Sequence, residues 1–201
     1  MIKIDKHNRE FNLLKWVLSA AAQETSRYAI NGVNFACNKA CCTDGRRLHI
    51  GTFLLNEFEG GTFEIITNTA KLIVLGEKID GNFPNYNDIV PVTDLKTLDM
   101  TDDDYLKQLV DGVPEEDKVE FLAKRCKKIA TTNNLYKMLK VLFSHDITLS
   151  IPFMLDVLQT KKLNYLDASG DTWDVIASTP NRPVQFSNET KTAVVMSITM
   201  V

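Results

Sequence analysis

Three cysteines and a histidine, Cys37, Cys41, Cys42 and His49, fall within one short stretch of the chain. Thiolate and imidazole are the ligands zinc prefers, but the paired C-x2-C and H-x3-H spacing that closes a tetrahedral site is missing. The plainer reading is small buried thiols on strands, with no metal bound. His145 beside Asp146 offers a base and an orienting carboxylate, yet neighbours in a turn rarely face one another, so the pair reads as surface turn. Thr43-Asp44-Gly45 places one carboxylate in a loop, without the second aspartate that phosphoryl chemistry would use; structurally it is a tight turn. Gly-rich phosphate loops, a G-x-S-x-G elbow and H-E-x-x-H are all absent. The chain reads as a non-enzyme without a cofactor; its rival is a metal- or Asp-dependent enzyme built around residues 37–49.

Charge is a stronger signal. Residues 94–117 carry nine acids against Lys96 and Lys107, a net of −7. Residues 118–140 carry Lys118, Lys124, Arg125, Lys127, Lys128, Lys137 and Lys140 against Glu120 alone, a net of +6. Val119, Leu122, Cys126 and Ile129 recur at helical spacing, so a helix is predicted there with Lys124, Arg125, Lys127 and Lys128 off its apolar stripe. Such a face is either plain solvated surface or a row of cations for phosphates.

The elements that would position these residues begin with a helix marked by Phe11, Leu14, Val17, Leu18 and Ala21, fading around residues 23–26. Strand character follows at 28–36, 40–50, 62–67 and 71–79, bounded by Gly60-Gly61 and Asp80-Gly81. Phe83-Pro84-Asn85-Tyr86 leads into an extended segment ending at Pro91. Pro152 fits the first turn of a second helix carrying Phe153, Leu155, Val157 and Leu158, with Ser150 as its cap. Extended stretches at 173–177, 184–186 and 193–200 close the chain, so helix-then-strands occurs twice and points to an α+β fold.

The 201 residues are 44% hydrophobic and 24% charged, with nine Gly and six Pro, which excludes collagen-like, disordered and solenoid chains. A net charge of −3 argues against a uniformly basic nucleic-acid coat. No apolar run is long enough to span a membrane, and the charged MIKIDKHNREF start lacks a signal-peptide core, so a cytoplasmic location is expected. Cys126 lies far from the other three cysteines, which is no disulfide framework.

Three segments resemble a known family. Ser26-Arg27-Tyr28-Ala29-Ile30-Asn31-Gly32-Val33-Asn34-Phe35 followed by Cys42-Thr43-Asp44-Gly45-Arg46-Arg47-Leu48 is similar to the R-Y-x-L-N-G and A-T-D-G-H-R-L of the middle domain of the bacterial DNA sliding clamp, the beta subunit of the replicative polymerase. The stretch from Asp80 through Phe83-Pro84-Asn85-Tyr86 to Pro91 resembles the D-G-x-F-P-D-Y-x-x-V-x-P that ends that domain. Ala193-Val194-Val195-Met196-Ser197-Ile198-Thr199-Met200 is similar to the closing Y-V-V-M-P-M-R-L, with Ile151-Pro152-Phe153-Met154-Leu155-Asp156 where the family has its Y-L-L-D-A-L helix. The likeness covers residues 8–91 well and 147–201 more loosely. It departs from the family in being far shorter, as though the first of three clamp domains were missing and the second abbreviated, and in having no counterpart to the second helix between Leu48 and Gly60.

The resemblance implies a DNA-clamp fold with helices packed on antiparallel sheets, in two clamp-like domains: 1–92, like the middle domain, and 93–201, like the C-terminal one. It implies a processivity factor that encircles double-stranded DNA without reading bases, with Lys15, Lys118, Lys124, Arg125, Lys127 and Lys128 facing the phosphates. It also implies an apolar pocket for short peptides from DNA polymerase and other partners, a clamp loader among them. The matching pocket positions are Arg27, Ile30, Thr43, Gly45, Arg46, Arg47, Leu48, Pro84, Ile89, Phe153, Val194 and Met196. Arg46 stands where the family has histidine, Ser197 where it has proline and Asp88 where arginine is common, so peptide preference is expected to differ. Two domains per chain would make a six-domain ring a homo-oligomer of three copies. The alternative is a clamp-fold interaction module that does not encircle DNA.

Overall fold

The computed structural model describes residues 1–22, 31–53, 60–80, 83–86, 90, 114, 127–159, 171–178 and 182–198. Their elements are β1 (Ile2–Asp5), α1 (Phe11–Leu18), β2 (Gly32–Ala36), β3 (Lys39–Thr43), β4 (Arg47–Thr52), β5 (Gly61–Asn68), β6 (Leu72–Lys78), β7 (Lys127–Thr132), α2 (Leu135–Ser144), α3 (Ile151–Val157), β8 (Trp173–Ala177), β9 (Val184–Ser187) and β10 (Lys191–Val195). The strands form one sheet in the order β1-β6-β5-β2-β3-β4-β10-β9-β8-β7. Every pairing is antiparallel. The last strand lies beside the fourth, with Leu48 opposite Val194 and Arg47 opposite Val195. That single pairing joins the strands of the first half of the chain to those of the second.

Alternation along the strands divides the sheet into two faces. Val33, Phe35, Ala40, Cys42, Ala193, Val195, Phe186, Trp173 and Val175 turn inward and share a core with Leu14, Trp16 and Val17 of α1, Met138 and Leu142 of α2, and Met154 and Val157 of α3. The Trp16 indole N–H donates to the Val157 carbonyl at 3.0 Å, tying α1 to α3. The opposite face carries Cys41, Leu48, Ile50 and Val194, a second and smaller apolar cluster.

β4 passes close beneath α1 because Gly51 has no side chain. A Cβ there would meet Val17 Cγ2 at 2.8 Å and Leu13 Cγ at 3.1 Å. Val17 is β-branched and fully buried, so it cannot swing aside. Gly51→Ala is expected to cost about 1–2 kcal/mol in urea unfolding, by overpacking. An unchanged midpoint would mean that α1 rides over β4 with slack.

Several sequence expectations are corrected here. The helix predicted across residues 119–129 does not extend to its end: Lys127–Thr132 is strand β7, paired with β8 from Lys127 opposite Ala177 to Thr132 opposite Trp173. Ile129, Thr131 and Thr132 are β-branched and suit a sheet edge better than a helix. The stretch 40–50 is two strands, divided at the Asp44–Arg46 turn. β1, paired with β6, and helix α2 were not anticipated. Ser150 does occupy the N-cap position of α3, but its side chain makes no capping bond. The final strand stops at Val195, and residues 196–198 leave the sheet.

Candidate functional site

The β3–β4 turn is held by its own side chains. Thr43 Oγ1 donates to the Arg47 carbonyl at 2.7 Å and accepts from the Gly45 N–H at 3.0 Å. Asp44 Oδ1 accepts from the backbone N–H groups of Arg46 and Arg47 at 2.9 and 3.0 Å. Gly45 takes φ 82°, a left-handed conformation natural to glycine. Thr-Asp-Gly is thus a self-capped turn whose carboxylate serves structure.

Arg47 leaves this turn toward the helices. Its Nε donates to Asp44 Oδ2 at 2.9 Å, its Nη1 pairs with Asp156 of α3, and its guanidinium carbon lies 4.6 Å from the centre of the Phe153 ring. The side chain is only 12% exposed. Arg47 therefore fastens α3 to the start of β4, and Phe153 is positioned with it.

Leu48, next along the strand, points to the opposite face. There it joins Cys41 and Ile50 of the neighbouring positions and Val194 across the β4–β10 junction. Phe83, Tyr86 and Val90 lie against this floor, and the two rings meet edge-on with centres 6.2 Å apart. The Met196 N–H donates to the Arg46 carbonyl at 2.9 Å, which leaves the Met196 side chain 39% exposed at the margin. Burial raises the Cys41 thiol to about 12, opposed by its hydrogen bond with Tyr86. Burial likewise raises the Tyr86 hydroxyl to about 12, with the Cys41 charge adding to it. Neither group ionises near neutrality, so Cys41 and Tyr86 offer no thiolate or phenolate to this apolar cluster. Such a surface accepts aliphatic or aromatic anchors.

The expected pocket residues do not share one face: Leu48 and Val194 belong to the outer apolar cluster, with Met196 at its margin and Pro84 in the covering segment between Phe83 and Tyr86, whereas Arg47 and Phe153 lie on the α3 side and Thr43, Gly45 and Arg46 form the turn between β3 and β4. Arg27, Ile30 and Ile89 lie outside the described residues. Sequence reasoning missed Cys41 and Ile50 in the floor, although the alternation Leu48, Ile50 signals a shared face. It also missed Phe83 and Tyr86 as covering rings, and Asp44 and Asp156 as partners of Arg47.

Of the cations expected to face DNA, Lys15 donates from Nζ to the Thr69 carbonyl at 2.6 Å, and Lys128 pairs with Asp174 at 2.9 Å. Lys127 stands on β7; Lys118, Lys124 and Arg125 lie outside the described residues. The cysteines and His49 do not converge. Cys42 and His49 are register partners on the inner face, Cys41 turns to the other, and Cys37 is exposed. No helix among the described residues is long and apolar enough to cross a membrane.

No family model matches the chain, and neither does any curated protein. Solved structures do. The DNA polymerase III subunit beta from Pseudomonas aeruginosa superposes with a TM-score of 0.55 at 13% identity, over 99% of this chain and 67% of that one. The subunit beta from Borrelia burgdorferi gives 0.51 at 12% identity, over 100% and 65%. The DNA polymerase sliding clamp from Bacillus subtilis gives 0.51 at 14% identity, over 100% and 64%. This chain thus has the sliding-clamp fold and spans about two thirds of the length of the structures it matches.

Proposed function

We propose that this chain is a non-enzymatic, shortened sliding clamp: a ring-forming processivity factor that encircles duplex DNA and holds peptides of a DNA polymerase and related partners at the covered apolar cluster of the β4–β10 junction. The observation that carries this reading is the covered apolar cluster at that junction. Leu48, Ile50, Cys41 and Val194 make an apolar floor where two parts of one clamp-fold sheet meet, beside the exposed Met196. With units 1–92 and 93–201 as two clamp-like domains, three copies would complete a six-domain ring. Weak contacts to phosphates would hold the duplex while letting it slide.

A second reading is favoured by a specific observation: Lys15 and Lys128 are engaged by Thr69 and Asp174 of their own chain rather than left free for phosphates. On that reading the protein is a peptide-binding module that never closes around DNA. One experiment separates the two. Mass by light scattering at several concentrations is expected to give a three-chain species, and that species is expected to stay on closed circular duplex and run off once the circle is cut. A monomer at every concentration, with equal retention on circular and linear DNA, would remove the ring and leave the module.

A further inference from the structure

We propose that the outward face of α2 is a contact surface for single-stranded nucleic acid, an inference that rests on the DNA-bound role proposed above. Tyr136, Lys140 and Phe143 follow one another at helical spacing with Lys137 alongside, all within about a third of the helix circumference. Tyr136 is 53% and Phe143 66% exposed, while Leu135, Met138 and Leu142 bury the opposite face in the core. α2 contains no Asp or Glu, in a chain whose net charge is −3. Lys137 and Lys140 are exposed and have no carboxylate partner among the described residues.

Charge complementarity selects a polyanion, and the rings select its kind. One exposed aromatic is ordinary, but two on one arc with unpaired cations among them form a stacking surface. A duplex hides its base faces in its own stack, whereas a single strand offers them. Tyr136 and Phe143 stand about 10 Å apart along the axis, with Lys140 between them at the level of an intervening phosphate. An anionic membrane is a poorer match, because only two rings point outward and the helix's aliphatic residues Leu135, Met138 and Leu142 are committed to the core.

The test is fluorescence anisotropy with a labelled oligothymidylate over a salt series, run beside retention on closed circular duplex. The intact chain is expected to bind the oligonucleotide. Tyr136→Ala with Phe143→Ala is expected to weaken that binding by about thirtyfold or more while duplex retention and melting temperature hold. Lys137→Gln with Lys140→Gln is expected to flatten the salt dependence by about 1.4 in log–log slope. Undiminished binding by the aromatic pair variant would overturn the inference, as would capture of phosphatidylserine vesicles but not the oligonucleotide. Duplex retention without oligonucleotide binding would sink this surface and spare the clamp. The converse would spare the surface and sink the ring, and failure of both would remove both.

Discussion

Replacing Arg47 with alanine is expected to lower stability by about 3 kcal/mol, roughly 6–12 °C in Tm for a chain of this size. The side chain is 12% exposed, and its guanidinium holds three partners at once: Asp44 across its turn, Asp156 on α3, and the face of Phe153. Removing it leaves two carboxylates facing a half-buried ring without a counter-charge. The loss is therefore larger than the few tenths of a kcal/mol typical of an exposed pair. Because Asp156 is 45% exposed and can rehydrate, the figure falls below that of a fully buried pair. Arg47→Lys keeps the charge but not the two-pronged reach or the flat stacking on Phe153, so it is expected to recover part of the loss. Arg47→Met keeps the packing alone and should recover less. Urea midpoints of the three variants check this, and an alanine variant within 0.5 kcal/mol of the parent would show that α3 docks through its apolar side only.

A consequence for binding follows. The resemblance assigns Arg47 to the peptide pocket, but its charged end is turned toward α3, away from the face that carries Leu48 and Val194. Any effect of Arg47 on a bound peptide then runs through the placement of Phe153 and of the β3–β4 turn. The floor itself is closed: Cys41, Leu48 and Val194 are 1%, 4% and 2% exposed beneath Phe83, Tyr86 and Val90. On the proposed reading, a peptide side chain would reach it only as those rings part. On that reading the exposed Met196 would be the first contact.

What was legible in the sequence follows from how local each signal is. Trp173–Ala177 alternates large inward side chains with Asp174 and Ile176, and it forms the strand its pattern predicts. Pro152 near the start of α3 and the stripe of α1 are equally local. β1 escaped because Ile2 and Ile4 alternate with Lys3 and Asp5 over only four residues. The split at Asp44–Arg46 escaped because apolar residues continue on both sides of the turn. α2 is hidden by its charge: Lys137 and Lys140 merge into the basic block, and the helix start is marked only by Asn134, whose side chain accepts from the Lys137 N–H. The floor of the cluster depends on the pairing of Leu48 with Val194 across most of the chain, and no local pattern encodes that register. Motif likeness brought both residues to attention, but Cys41, Ile50 and the covering rings needed the sheet.

Lowering the pH from 7 toward 4 is expected to remove about 3 kcal/mol of stability through His49 alone. The ring is fully buried and stacked on Trp16, with centres 4.3 Å apart and planes 7° from parallel. Its Nδ1 lies 3.0 Å from the Trp16 carbonyl, which can only accept, so Nδ1 carries the hydrogen of the neutral ring. A further proton must go to Nε2, which is buried and has no hydrogen-bond partner. Burial accordingly lowers the His49 pKa from 6.5 to about 4, opposed by the Trp16 carbonyl, with the Arg47 charge adding to the lowering. Between those values the unfolded chain binds a proton that the folded chain refuses. Stability is then whole above pH 6.5 and falls as pH drops toward 4, by about 1.4 kcal/mol per unit at most. His49→Phe keeps the stacked ring and cannot titrate, and the Trp16 carbonyl retains the Ser19 hydroxyl at 2.7 Å as a donor. Trp16 and Trp173, the chain's two tryptophans, are both buried, so their fluorescence reports unfolding directly. Urea curves at pH 7, 5.5 and 4.5 should diverge between parent and variant by about 2–3 kcal/mol at the acid end. Parallel curves would mean that Nε2 finds an acceptor on protonation, and that the stack of α1 on β4 bends to supply one.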